Sequence, residues 1–124
     1  MAAKTEGRRV ARVEREVHEA LAHLLITEFK RDLPGITSVS RVSMPADLRS
    51  ARVYISVIGA ADLKDKTALL LQDLAPRIQG ALARRLSLRY TPRLSFYPDT
   101  TTDKILRVEN LFRQLEKMKE PSEE

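Results

Sequence analysis

The run Leu69, Leu70, Leu71 and Leu74 has helical spacing and leads straight into Pro76. Proline has no N–H to donate and its ring crowds the carbonyl one turn back, so a helix is expected to break or bend there. Beyond it Ile78, Ala81, Leu82, Arg85 and Leu86 recur at helical spacing, and Asp73 is placed to cap this second helix with Pro76 in its first turn. A strand, Arg93 to Tyr97, comes next. Pro92 opens it, where a missing donor is harmless, and Leu94 and Phe96 share one face while Tyr97 takes the other. The stretch therefore demands two short helices meeting at a kink beside a strand, and the remaining elements have to be arranged around them. Arg77, Arg84, Arg85 and Arg89 lie on or just after the second helix, off the line of Ile78, Leu82 and Leu86. One side of that helix is core and the other is cationic.

Upstream, Val10, Val13, Val17, Leu21, Leu24, Leu25 and Phe29 form an apolar stripe that predicts a helix from Arg8 to Arg31. Leu33, Pro34 and Gly35 end it, because Pro34 biases Leu33 out of the α region and Gly35 supplies a turn. The period then changes to two. In Ser50 to Ile58, the residues Ala51, Val53, Ile55 and Val57 alternate with Arg52, Tyr54 and Ser56, the pattern of a strand buried mainly on one face. Thr37 to Met44 reads as a second strand, but Val39 and Val42 sit on opposite parities, which predicts a bulge or partial cover on both sides. The connector Pro45 to Arg49 is short enough for an antiparallel hairpin. Asp47 is placed to hydrogen-bond its own turn, and Leu48 is expected to fold back onto the core. After the third strand, the polar turn from Pro98 to Asp103 precedes a last helix marked by Ile105, Val108, Leu111, Phe112 and Leu115. The expected boundaries are a flexible N-terminus over 1–7, one domain over 8–116 and a disordered tail over 117–124. Three strands with helices on one face make an α+β sandwich of two layers.

With 124 residues the chain is sized for one core. It holds no cysteine, which excludes disulfides, thiolate metal sites and a cysteine nucleophile and fits a reducing compartment, so the cytoplasm is expected. Neither a secretory leader nor a membrane span is expected, since no apolar run approaches the required length. A net charge of +5 favours a polyanionic partner, nucleic acid before membrane surface. His18 and His23 are the only histidines, and their spacing does not match the i, i+4 pairing of helical metal sites. Glu14, Glu16 and Glu19 read as a solvated helix face, and no nucleophile elbow or phosphate-cradling glycine run is present. Neither catalysis nor a metal or cofactor is expected.

The order helix, strand, strand, helix, kink, helix, strand resembles a type II KH domain, and the detailed text is similar to the bacterial ribosome-binding factor A family from about Arg8 to Phe112. Arg9 to Val13 and Ile36 to Val42 carry part of the likeness. The hairpin text Met44 to Val57 is its most telling part, and Leu88 to Phe96 with the following Asp99 completes it. The resemblance implies a single KH-like domain that is monomeric when free, binds the maturing small ribosomal subunit and its RNA, and assists late assembly and end-processing without catalysis. The glycine-rich GxxG clamp common in KH domains is absent, for Gly7, Gly35, Gly59 and Gly80 lack its spacing. The family's interhelical kink falls at Leu74, Ala75 and Pro76, where proline stands in place of glycine.

On this reading Arg77, Arg84, Arg85 and Arg89 neutralise RNA phosphates, and Arg49, Arg52 and Arg41 on the hairpin extend the patch. Each also has the plainer reading of an exposed, solvated arginine. Gly80 inside a helix predicts close approach of a neighbour, by packing more readily than by RNA. The alternatives are a generic RNA-binding module, or a protein-interaction module that docks through its last helix.

Overall fold

In the computed structural model, which describes residues 2–59 and 62–119, the alternation along the second strand is resolved as period two dictates. Ala51, Val53 and Ile55 are buried while Arg52 is exposed. The elements are α1 (Ala2–Ile26), β1 (Ile36–Ser43), β2 (Ser50–Ile58), α2 (Leu63–Arg85), β3 (Arg93–Pro98) and α3 (Thr101–Lys119), with a short 3₁₀ turn at Lys30–Asp32. β2 lies at the centre of a sheet of order β1-β2-β3, antiparallel to β1 and parallel to β3. A parallel neighbour requires a crossover, and α2 supplies it. Helices α1 and α2 pack on one face of the sheet. Val17, Leu21 and Leu24 of α1, Phe29 beyond its end, and Leu71, Ala75, Ile78 and Leu82 of α2 close over Val53, Ile55, Leu94 and Phe96 in one apolar cluster. This is the two-layer α+β architecture, in KH-like order, that the sequence leads one to expect.

The mixed parity in β1 is a bulge. Val39 pairs with Ile55 and Arg41 with Tyr54, so Ser40 has no partner in the ladder. The extra residue lets Val39 and Val42 both face the core and turns Arg41 to the open side. The Ser40 hydroxyl lies 2.6 Å from the Asp99 carboxylate, to which it donates, and 3.1 Å from the Tyr54 carbonyl oxygen. These contacts pin the bulge.

At four places the structure differs from the periodicity. α1 starts at Ala2, ahead of the apolar stripe and within the stretch expected to be flexible, and it ends at Ile26. There the Thr27 hydroxyl donates to the His23 carbonyl at 2.7 Å, and the chain turns to bury Phe29. The expected break at Leu74, Ala75 and Pro76 is absent: α2 runs as one helix through Pro76, and Asp73 lies inside it rather than capping a second helix. Pro76 sits on the exposed side, where water can reach the carbonyl that loses its donor. Both halves of the helix are held to the same strand. On one side of the proline, Gln72 Oε1 accepts from the Phe96 N–H at 3.0 Å, and on the other Gln79 Oε1 accepts from the Leu94 N–H at 2.9 Å. Packing and these two bonds outweigh the one backbone bond that proline removes.

Gly80 has no close neighbour among the described residues: a Cβ there would meet only the end of the Arg84 side chain, at 3.8 Å. Gly80→Ala is therefore expected to stabilise the fold by about 0.5 to 1 kcal/mol, read as a raised denaturant midpoint at unchanged slope. A lowered midpoint would show a contact at Gly80 that the fold does not reveal. Lastly, α3 is helical to Lys119, and the five apolar residues that marked it lie open: Ile105, Val108, Leu111, Phe112 and Leu115 are all at least 49% exposed. The rest of the expected disordered tail, residues 120–124, lies outside the described residues.

Candidate nucleic-acid interface

The seven arginines singled out by the sequence fall in three places rather than one. Arg77, Arg84 and Arg85 are exposed on the second half of α2, which also buries Ile78 and Leu82. Arg84 Nη2 lies 3.7 Å from Glu28 Oε1 in a solvent-exposed pair, an arrangement worth little in water. The Arg77 guanidinium stands 5.5 Å from the centre of the Phe29 ring. This face matches the cationic side predicted for the helix.

Arg89 leaves that face. With Arg49 it lines a cleft of about 680 Å³ whose walls are α1, the β1–β2 turn and the connector between α2 and β3. The α1 wall is Arg9, Arg12, Val13 and Glu16, whose spacing of three, four and seven puts them on one helical face. Glu14 ties that helix to the hairpin, since its Oε2 accepts from the Met44 N–H at 2.8 Å. On the turn, Leu48 takes a left-handed conformation (φ 57°) and packs against the core. Asp47 Oδ1 accepts from the Arg49 N–H at 3.1 Å, and the Arg49 carbonyl accepts from the Arg93 N–H at 2.9 Å. Arg49 is thus fixed on both sides of its backbone. Its guanidinium stands 4.8 Å from the centre of the Tyr90 ring and that of Arg89 5.4 Å, both within cation–π range.

The third place is the open face of the sheet. Pairing of Arg41 with Tyr54 and of Tyr54 with Tyr97 lines these three up across the strands. The Arg41 guanidinium is 4.3 Å from the Tyr54 ring centre, and the two tyrosine rings are 5.8 Å apart at a tilt of 32°. Asp99 ends the row. Hydrogen bonds from Ser40 and Thr101 hold its carboxyl well below the usual carboxylate range, at about 2, with the Arg41 charge helping. Arg52 lies on the same face and lines a shallow recess with Ser43 and Ser50.

Arg9, Arg12 and Tyr90 are the site residues that the sequence reading missed. Arginines three apart at the start of a helix look like any solvated turn, and nothing local shows that this turn faces the hairpin. Among the described residues no group of three or more metal-ligating side chains converges, and no helix is long and apolar enough to cross a membrane. The arrangement offers guanidiniums and aromatic rings, which bind phosphates and stack.

Comparison with known proteins agrees with the likeness read from the hairpin. The family model for ribosome-binding factor A matches residues 9–112. A ribosome-binding factor A of Bdellovibrio bacteriovorus is 46% identical over 111 residues, covering 90% of this chain and 83% of that protein. One from Heliobacterium modesticaldum is 32% identical, covering 89% of this chain and 91% of its own length. Among solved structures, the crystal structure of ribosome-binding factor A from Thermus thermophilus superposes with a TM-score of 0.61 at 26% identity, covering 72% of this chain and 94% of that one. A homology model of the Thermus thermophilus factor, fitted into a cryo-EM map of its complex with the 30S subunit, gives 0.56 at 26% identity over 71% of this chain and 92% of that one. A match that spans nearly all of the folded residues in sequence, and most of them in backbone, assigns the chain to the ribosome-binding factor A family.

Proposed function

We propose that this protein binds the small ribosomal subunit in the cytoplasm and assists its late maturation, including end-processing of 16S rRNA, by binding rather than by catalysis. The observation that carries the reading is that a member of this family presents guanidiniums on α2, in the cleft and on the sheet face of one small domain. The relative fitted into a map of a 30S complex lends it support. A particle of folded RNA presents phosphates over a wide surface, which suits several cationic places better than one deep pocket.

The test is sedimentation of a cell extract, in which the protein is expected to travel with small subunits, immature ones above all, and to leave them when RNA is digested. Migration with complete ribosomes, or free in solution, would overturn the proposal. The α2 arginines give a second measurement. Arg77→Glu, Arg84→Glu and Arg85→Glu together should leave the melting temperature near that of the parent, because all three are exposed, and should sharply weaken subunit binding. The corresponding triple alanine variant should flatten the slope of log K against log salt by about 2 to 3 if each arginine meets a phosphate. An unchanged slope would remove the α2 face from the interface.

One observation favours a second reading. The open apolar positions of α3 suit docking on a protein. RNase treatment discriminates, because a protein adaptor stays with its partner after the RNA is digested.

A further inference from the structure

We propose that the cleft between α1, the β1–β2 turn and the α2–β3 connector binds successive phosphates of a single-stranded RNA segment on Arg9, Arg12, Arg49 and Arg89, with Tyr90 as the positioning residue for the last two. The proposal rests on the reading of this chain as an RNA-binding assembly factor and names where, and in what form, RNA is held.

Three observations lead to it. The first is shape: a volume of about 680 Å³ lies in the range that takes a nucleotide-sized ligand. Walls on three sides admit a flexible strand, whereas a duplex presents a convex cylinder. The second is charge. Four guanidiniums face the acids Glu16 and Asp47, and Asp47 has one oxygen already engaged by the Arg49 N–H. None of the four arginines is ion-paired among the described residues, in contrast to Arg84 with Glu28. An arginine cluster left without acid partners is short of anions, and phosphate oxygens match the fork of guanidinium N–H groups.

The third observation is the ring. Arg49 and Arg89 both lie within cation–π distance of Tyr90. Stacking uses the flat face of a guanidinium and leaves its N–H edge free for a phosphate. The ring thereby holds two long side chains in place before the ligand arrives, and less freedom is lost on binding. The backbone of Arg49 is fixed by Asp47 and Arg93 in the same sense. An unpaired base stacks on aromatic rings and on guanidiniums, and Tyr90 with Arg49 and Arg89 brings both to the cleft wall, a mode open to single strands and closed to paired ones.

The experiment measures binding of the full chain to a fluorescein-labelled 12-nucleotide single-stranded RNA without self-complementarity, by anisotropy at several salt concentrations. The paired substitution Arg9→Ala with Arg12→Ala should weaken binding roughly tenfold or more at low salt and flatten the salt slope by about 1.4, at about 0.7 per phosphate on a single strand. The control pair Arg15→Ala with Arg31→Ala, also exposed but outside the cleft, should do neither. Tyr90→Leu changes no charge and should weaken binding roughly fivefold, while Tyr90→Phe, which keeps the ring face, should retain it. Thermal melting checks that each variant is folded, and Tyr90→Met, which also changes no charge and removes the ring, replaces Tyr90→Leu if the latter melts early.

Equal loss in the cleft and control pairs would overturn the assignment, as would wild-type affinity in Tyr90→Leu or failure of the parent to bind the strand. Displacement of the RNA by AMP or inorganic phosphate at equal concentration would show a site for free anions and also overturn it. Equally tight binding of a 12-base-pair duplex through the same residues would overturn the single-strand claim. The function proposed above fails separately, by the parent protein not sedimenting with small subunits.

Discussion

Ile55→Ala is expected to destabilise the protein by about 2 to 5 kcal/mol, a large part of the total stability of a domain this size. Ile55 is fully buried near the centre of the middle strand, inside the apolar cluster, so the deleted volume has no loop or edge into which it can relax. Phe96→Ala on the neighbouring edge strand should cost about 3 to 5 kcal/mol, because its ring is buried in the same apolar cluster. Tyr54 supplies the internal contrast. It is next to Ile55 in sequence but on the open face, and Tyr54→Ala should cost far less because water already reaches the ring. Urea midpoints of the three variants decide the matter. An unchanged midpoint for Ile55→Ala, or a greater loss for Tyr54→Ala, would mean that the sheet buries its other face.

The second large effect concerns two glutamines on α2. β3 is an edge strand, and its outer rim would offer free N–H and C=O groups to any passing chain. Gln72 answers as a neighbouring strand would. Its Oε1 accepts from the Phe96 N–H at 3.0 Å while its Nε2 donates to the Leu94 carbonyl at 3.3 Å, and Gln79 takes the Leu94 N–H at 2.9 Å. Gln72→Ala and Gln79→Ala should each cost about 1 to 3 kcal/mol, since each leaves a part-buried backbone donor without a partner. The double variant should also self-associate with rising concentration, visible by light scattering, as the bared edge seeks a strand. Neutral stability together with a monomeric double variant would show that water satisfies the edge and the glutamines are incidental.

Pro76 and the glutamines also mark where local reading stops. The proline rule is sound as a statement about an isolated helix, where one lost bond and one clash decide the outcome. Here the residues that decide it lie on β3, and glutamine looks like any polar helix residue until that strand is in place. Gly80 is similar: a helical glycine implies a close neighbour only if the tertiary structure puts one there, and none is present among the described residues. α3 shows the converse. Its stripe correctly predicts a helix, yet periodicity carries no information on whether another element exists to cover it.

What the sequence determined by itself is whatever depends on neighbours along the chain. The alternation of β2 located the strand at Ser50–Ile58 and chose its buried face, and the parity conflict between Val39 and Val42 announced the bulge. The hairpin text marked the family, because a specific run of residues can be compared without knowing where it sits. Tertiary structure alone decided the unbroken course of α2 and the gathering of Arg9, Arg12, Arg49 and Arg89 into one cleft. The physical reason is range. Backbone preference and side-chain period act over a few residues, whereas the cleft joins charges from the first helix, the hairpin and the connector between α2 and β3, and their proximity exists only once the apolar core has drawn those segments together.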